Sequence, residues 1–375
     1  MNDVTFTNEH AALSGMMREF CAKKSPENVV RDLIERGEGA DRAMWEQMAT
    51  QIGLQALIIP EPYGGSGAGL LELVLVLEEL GAALACPSFL PTAIATQTLL
   101  AAGDETAQAA WLPGIADGTT FATVALTPDL DARQTVDARQ GPDGWVLDGL
   151  VEAVADGLGA NLLIVAANAP GGPALFVLGA QAPGLRRDAV RTTDLTRPMA
   201  RLEFAATPAT ALDGEASADP LPLVVDLAGL LVSAEQIGGA RRCADMAAEY
   251  ARTRYQFGRA IGEFQAIQHK CVDMLLALEQ ARAAVYHAAS LASAGASAEF
   301  ALAAPLAKAA CAEASLAVAA DNIQVHGGIG FTWEHPAHLY FRRALADSTY
   351  LGDARLHREL LVRRLGLDGM ERTWS

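Results

Sequence analysis

Apolar residues recur at spacings of three and four through most of this chain, and lose that rhythm only in its middle stretch. Leu70, Leu73, Leu77 and Leu80, with Glu72, Glu78 and Glu79 interleaved, trace the buried face of a helix. From the N-terminus to about residue 118 the sequence reads throughout as Ala-, Leu- and Glu-rich helices parted by polar or Pro/Gly breaks. The pattern changes near Phe121. Short β-prone runs follow at Ala122–Leu126, Trp145–Leu147, Leu162–Ala166 and Ala174–Leu178, punctuated by the turn sequences Gly141-Pro142-Asp143-Gly144 and Pro170-Gly171-Gly172-Pro173. They predict a small β domain with hairpins, ending where Ala206–Pro220 turns small and acidic like a linker. From Leu221 the helical rhythm returns, with Phe264, Ile267, Cys271, Met274, Leu278 and Val285 facing a bundle. A long run over about Glu299–Val325 stops at Gly327-Gly328, since glycine accepts positive φ, and a last helix covers about Ala354–Leu365. The predicted class is α+β: a helical domain over 1–118, a β domain over 119–215 and a helical bundle over 216–375.

With 375 residues, 51% of them hydrophobic, the chain can bury a sizeable core in two or three domains. A formal charge of −17 argues against nucleic acid or an anionic membrane as the main partner, because both require clustered Lys and Arg. Residues 1–24 carry no basic n-region followed by an apolar h-region, and the longer apolar runs are broken before membrane-spanning length. A soluble cytoplasmic protein is expected. The five cysteines, Cys21, Cys86, Cys243, Cys271 and Cys311, are scattered and odd in number, which predicts buried thiols and neither a metal site nor a disulfide framework.

Candidate chemistry concentrates near the C-terminus. Gln324-Val-His-Gly-Gly-Ile-Gly-Phe331 offers an amide side chain and several backbone N–H groups that no side chain shields, which suits a diphosphate. Taken alone, Gly-Gly is equally a helix stop. Upstream stand Arg254-Tyr-Gln-Phe257-Gly258 and Gln265, and downstream stands Tyr350-Leu351-Gly352-Asp353. This order resembles the acyl-CoA dehydrogenase flavoproteins, as does Pro60-Glu-Pro-Tyr-Gly-Gly-Ser-Gly67 near the N-terminus. The resemblance covers most of the chain. It implies an N-terminal helical domain, a central β-barrel-like domain and a C-terminal four-helix bundle. It also implies FAD as cofactor, α,β-dehydrogenation of an acyl-CoA thioester in lipid catabolism, a homotetramer or heterotetramer, and an electron-transfer partner. By the same resemblance Arg254 and Phe257 contact the FAD of one site, with Gln265 nearby. Gln324, Gly327 and Gly328 reach the adenosine diphosphate of a FAD held mainly by a neighbouring subunit. Thr127 touches the flavin and Asp226 lies near the acyl-CoA pocket. Each has a bland alternative: a surface ion pair for Arg254, core packing for Phe257, a solvated helix position for Gln265, a turn for Thr127, a helix-end carboxylate for Asp226.

The departures from the family are as informative. Where the family usually has the glutamate that removes the substrate α-proton, this chain has Leu351, and at the alternative position on an earlier helix it has Ala228 followed by Gly229. Neither Leu nor Ala accepts a proton. Asp353 is the nearest surviving carboxylate, at a position where the family usually has a small hydroxyl residue. His326 and His357 read as helix-end or surface residues. The usual Thr-Glu-Pro-Gly becomes Thr127-Pro128-Asp129-Leu130, and a Trp-Ile-Thr strand that cradles the flavin ring becomes Ala153-Val154-Ala155. The favoured expectation is a base-lacking subunit completed by a glutamate-bearing paralogue. The alternatives are a self-sufficient homotetramer or flavin monooxygenase on the same fold, and a structural subunit without flavin.

Overall fold

The computed structural model describes residues 6–37, 41–127, 133–142, 144–214 and 219–367. The N-terminal helices are α1 (Asn8–Lys24), α2 (Glu27–Arg36), α3 (Arg42–Gln47), α4 (Leu70–Ala82), α5 (Phe89–Ala102) and α6 (Glu105–Ala116). Side chains of Thr7, Asp41 and Asp104 cap α1, α3 and α6 by accepting first-turn N–H groups. The helix predicted over Leu70–Leu80 is α4, with Leu73, Leu77 and Leu80 in the core. Its Glu78 and Glu79 are buried too, which is tolerable because Arg282 and Arg241 reach Glu78 at 3.0 and 3.3 Å, and Arg18 and Arg241 reach Glu79 at 2.7 Å each. The Pro60–Gly67 loop folds tightly on itself, so a Cβ on Gly65 would stand 1.8 Å from the Ile59 carbonyl oxygen.

The β domain contains β1 (Ala122–Ala125), β2 (Val136–Gly141), β3 (Gly144–Ala155), β4 (Leu162–Ala169), β5 (Gly172–Gly179), β6 (Leu185–Val190) and β7 (Met199–Ala211). Pairing runs β4-β2-β3-β7-β5 and returns from β5 to β4, so the sheet closes like a barrel, with β1 added on β4 and β6 on β7. Alternation places Leu163, Val165 and Phe176 in the sheet's own core and Leu162, Ile164 and Leu175 in the core shared with the helices. All four expected runs are strands. Three strands were not anticipated. In β2 charged residues alternate with small ones, β6 carries the charged run Arg186-Arg187-Asp188, and β7 continues through Ala206–Ala211, where a linker was expected. Ladders to β3, β5 and β6 decide that strand, not its weak intrinsic propensity.

The C-terminal helices are α7 (Leu221–Thr253), α8 (Gln265–Ser293), α9 (Ser297–His326), α10 (Ala337–Asp347) and α11 (Ala354–Arg364), with a short hairpin of β8 (Tyr255–Gln256) and β9 (Arg259–Ala260) between α7 and α8. Contrary to the sequence expectation, α7 and the stretch 297–331 are long and apolar enough to cross a membrane. The apolar window of α7 is 89% buried inside the protein, as befits the central helix of a bundle. On α8, Met274, Leu278 and Val285 face the core as predicted, while Val272, Leu275 and Leu276 remain exposed, as does Leu306 of α9. The five thiols are free and all but Cys271 are buried, and burial pushes Cys21, Cys243 and Cys311 up to about 12.

Candidate active site

The Leu351 loop and Gly229 of α7 meet the same two buried side chains, Lys308 and His357. Leu351 lies in the connection between α10 and α11 with φ of +55°, a left-handed conformation that is strained for a residue with a Cβ. Two buried side chains hold it there. His357 Nε2 donates to the Leu351 carbonyl at 2.8 Å, and Lys308 Nζ donates to the Asp347 and Gly352 carbonyls at 3.0 and 3.2 Å. Gly229 of α7 faces the same two residues, since a Cβ there would stand 3.7 Å from His357 Cε1 and from Lys308 Cβ. Leu351 and Gly229 thus gather about Lys308 and His357, and neither they nor the fully buried Ala228 carries a carboxylate.

The titratable groups that remain are shaped by burial. His357, expected near the surface, is 2% exposed, because the face of α11 that carries it packs inward, and burial pulls its imidazole down to about 4. Lys308 has no exposed surface and burial brings it down to about 8. Asp353 is exposed and caps α11, its Oδ1 accepting from Leu356 N at 2.8 Å. Asp226 is buried with both carboxylate oxygens 2.9 Å from Arg364 Nη1, and burial raises it to about 6 against the pull of that guanidinium. Arg364 also donates to the Ala301 carbonyl.

Beneath the Leu351 loop lies an ionic cluster that no sequence motif announced. Arg197, between β6 and β7, donates to Asp347 at 2.5 Å and also to Glu235 of α7. Arg343 of α10 donates to Asp194 at 2.6 Å, Thr196 at 2.7 Å and Glu235 at 3.1 Å. No charged side chain in the cluster is more than 6% exposed. Three carboxylates face two guanidiniums, and burial pushes Asp347 up to about 6. The Arg197 guanidinium also lies 5.4 Å from the ring centre of Tyr350, so the cluster ties the sheet, α7 and α10 to the start of the loop.

A second group of predicted residues gathers at the far end of α7 and α9. Tyr250 in the last turn of α7 stacks on His326, the last residue of α9, at 4.4 Å. That contact brings the Arg254 hairpin and the Gly-Gly segment to the same end of the bundle, although the sequence reading had assigned them to different cofactor contacts. Arg254 is exposed and pairs with no carboxylate among the described residues. Phe257 is 92% exposed, at φ of +54°, and Phe331 is 83% exposed. Gln324 points outward, and at Gly327 and Gly328 no atom lies within 4 Å of where a Cβ would stand. An unpaired guanidinium and open backbone N–H groups fit a diphosphate. Gln265 is exposed at the start of α8. The ring side fits less well. Thr127 exchanges hydrogen bonds with Gln134 through its backbone at 2.9 and 3.3 Å, whereas Pro128, Asp129 and Leu130 lie outside the described residues. Ala153 is exposed and Val154 and Ala155 are buried, so that stretch offers a flavin ring neither an aromatic nor a hydroxyl side chain.

Family models described as acyl-CoA dehydrogenase, N-terminal domain, and acyl-CoA dehydrogenase, C-terminal domain, match residues 7–119 and 226–366. The protein named acyl-CoA dehydrogenase IpdE2 of Mycobacterium tuberculosis is 34% identical over 94% of this chain and 96% of its own length. Among solved structures, the Tcur3481-Tcur3483 steroid ACAD is 34% identical with a TM-score of 0.88, covering 96% of this chain and 98% of that chain. The ChsE4-ChsE5 complex from Mycobacterium tuberculosis is 30% identical with a TM-score of 0.89, covering 98% of this chain and 100% of that chain.

Proposed function

The chain belongs to the acyl-CoA dehydrogenase family of FAD-dependent oxidoreductases acting on CH-CH groups, and we propose that it serves there as the base-lacking subunit of a heteromeric enzyme. The observation that carries this reading is that Leu351 and Ala228 stand at the two base positions, with Lys308 and His357 packed between the Leu351 loop and Gly229, so that neither position bears a carboxylate. Bound FAD supplies the hydride acceptor of this chemistry, but the α-proton still needs a base within reach. His357 turns its N–H to the Leu351 carbonyl, and Lys308 gives its ammonium to two carbonyls. Asp353 caps a helix. The chain's own contribution is then the exposed set of Arg254, Phe257, Gln324, Gly327 and Gly328, which anchors the diphosphate of a FAD seated mainly in a glutamate-bearing paralogue. The exposed apolar face of α8 supports an assembly that covers it, a tetramer of two chain types. Likeness to a steroid ACAD and to a two-component complex supports a bulky polycyclic acyl thioester as the substrate of that assembly. Soluble, cytoplasmic work with an electron-transfer partner completes the reading, with domain limits at about residues 118 and 215.

The purified chain alone, given FAD and acyl-CoA thioesters, is expected to reduce no dye above background and to turn yellow only with its paralogue. Robust turnover by the isolated chain, retained in Asp353→Asn, would overturn the proposal. In the assembled enzyme, Arg254→Ala is expected to weaken FAD retention by roughly one to two orders of magnitude, the loss of one charge-assisted contact worth about 1.5–3 kcal/mol. Unchanged flavin stoichiometry after gel filtration would remove Arg254 from the cofactor surface.

A further inference from the structure

Three of the seven histidines lie within the segment that joins the Gly-Gly end of α9 to α10 and the first turn beyond it. His326 donates from Nδ1 to the Asn322 carbonyl at 2.8 Å, and its ring stands 4.2 Å from that of His335, centre to centre. His335 has a specific duty. Its Nδ1 accepts from Ala337 N at 3.2 Å, in the first turn of α10, so the ring must be neutral with its proton on Nε2. His338 stacks on Trp333 at 4.6 Å.

We propose that His335, braced against His326, is an acid-sensitive latch on the 327–336 segment that, on the functional reading above, presents Gly327 and Gly328 to the neighbour's FAD. Protonating His335 turns its Nδ1 from acceptor to donor, which strips Ala337 of its partner. It also sets a positive charge at the N-terminus of α10, where the helix dipole opposes it. The new charge stands against the His326 ring. Glu27 offsets it only in part, being paired with Arg31 at 2.7 Å. Arg31 lies over Trp333, and Arg342 donates to the Thr193 carbonyl. The other carboxylate of the segment, Glu334, is exposed. The imidazoles of His326, His335 and His338 are all held below the ordinary 6.5, by burial first. A depressed histidine stabilises the folded form above its unfolded value and loses that contribution as pH falls, so the latch is closed at neutral pH and opens in mild acid.

Trp333 reports on the latch without any cofactor. Its fluorescence in the chain alone, isolated by subtraction of Trp333→Phe, and FAD retention by the assembled enzyme are followed between about pH 5 and 8. Both are expected to change together in the wild type as pH falls. In a His338→Phe background, which removes the titrating ring stacked on Trp333, His335→Asn keeps an acceptor for Ala337 but does not titrate there, and both signals are expected to be flat. A flat Trp333 signal in the wild type or in His338→Phe alone, or an equal change once His335→Asn is added, would overturn the latch. A titrating Trp333 signal with constant FAD retention would overturn its link to the cofactor. An assembly that holds no FAD at any pH would sink the functional reading instead, and the Trp333 titration would still decide the latch.

Discussion

Arg343→Met is expected to lower the melting temperature of the purified chain by on the order of 10 °C. Breaking a buried ion pair by removing one partner costs about 3–5 kcal/mol, and each kcal/mol shifts a domain of this size class by a few degrees. The guanidinium serves Asp194, Thr196 and Glu235 at once, and without it Arg197 alone faces three carboxylates that cannot reach water. Arg343→Lys should recover only part of the loss, because one ammonium cannot reproduce the planar fork that meets three acceptors. Stranded carboxylates in the variant resist ionisation, so its deficit should shrink as pH falls from neutral toward the carboxylate range and widen as pH rises. The control is Arg358→Met. That guanidinium pairs with Glu313 where both side chains are more than half exposed, and an exposed pair contributes less than about 1 kcal/mol. Differential scanning fluorimetry on the variants decides the matter. Equal, small shifts for Arg343→Met and Arg358→Met would mean that the cluster beneath Tyr350 is dispensable.

The contrast between those two arginines also marks what a sequence can disclose. Where apolar residues recur at helical intervals, spacing alone locates the helix, as it does for α4, α8, α9 and α11, even though α4 proves buried nearly all round. The apolar strands β1, β4 and β5 are equally plain. β2, β6 and β7 are not, because their residues gain from partners far along the chain and carry little hydrophobic signal of their own. The ionic cluster is hidden for a sharper reason. Asp194 and Arg197 lie in the β6–β7 connection, Glu235 on α7, and Arg343 and Asp347 on α10, and each charge reads as solvated until its partner is known. Asp226 likewise meets Arg364 only because α11 docks beside α7. That neither Leu351 nor Ala228 can accept a proton, in contrast, is legible at once, since it needs no geometry to be seen. What the sequence withholds is that Lys308 and His357 hold the Leu351 loop in shape.

That retained shape makes Leu351→Glu the most demanding test of the lost-base reading. Leu351 already has the left-handed backbone, its carbonyl fixed by His357 and the next one by Lys308, so exchanging the side chain leaves the scaffold as it is. The new carboxylate would extend from a loop packed against the helical core that contains Ala228, where apolar surroundings raise its affinity for a proton toward the range of a useful base. Lys308 acts in the opposite sense, as a nearby cation favouring the ionised form. Positioned proton transfer contributes roughly 10²- to 10⁴-fold, so Leu351→Glu should raise dye reduction by up to that factor in a preparation shown to hold both FAD and acyl-CoA. Adding Lys308→Met should then move the pH profile upward, as the carboxylate loses its cation. Complete inactivity with both ligands bound would mean that the site lacks more than one side chain. The fault would then lie with the flavin-ring side, where Ala153, Val154 and Ala155 stand in for an aromatic and a hydroxyl. The chain's part in the enzyme would reduce to the surface that carries Arg254, Phe257 and the Gly-Gly segment.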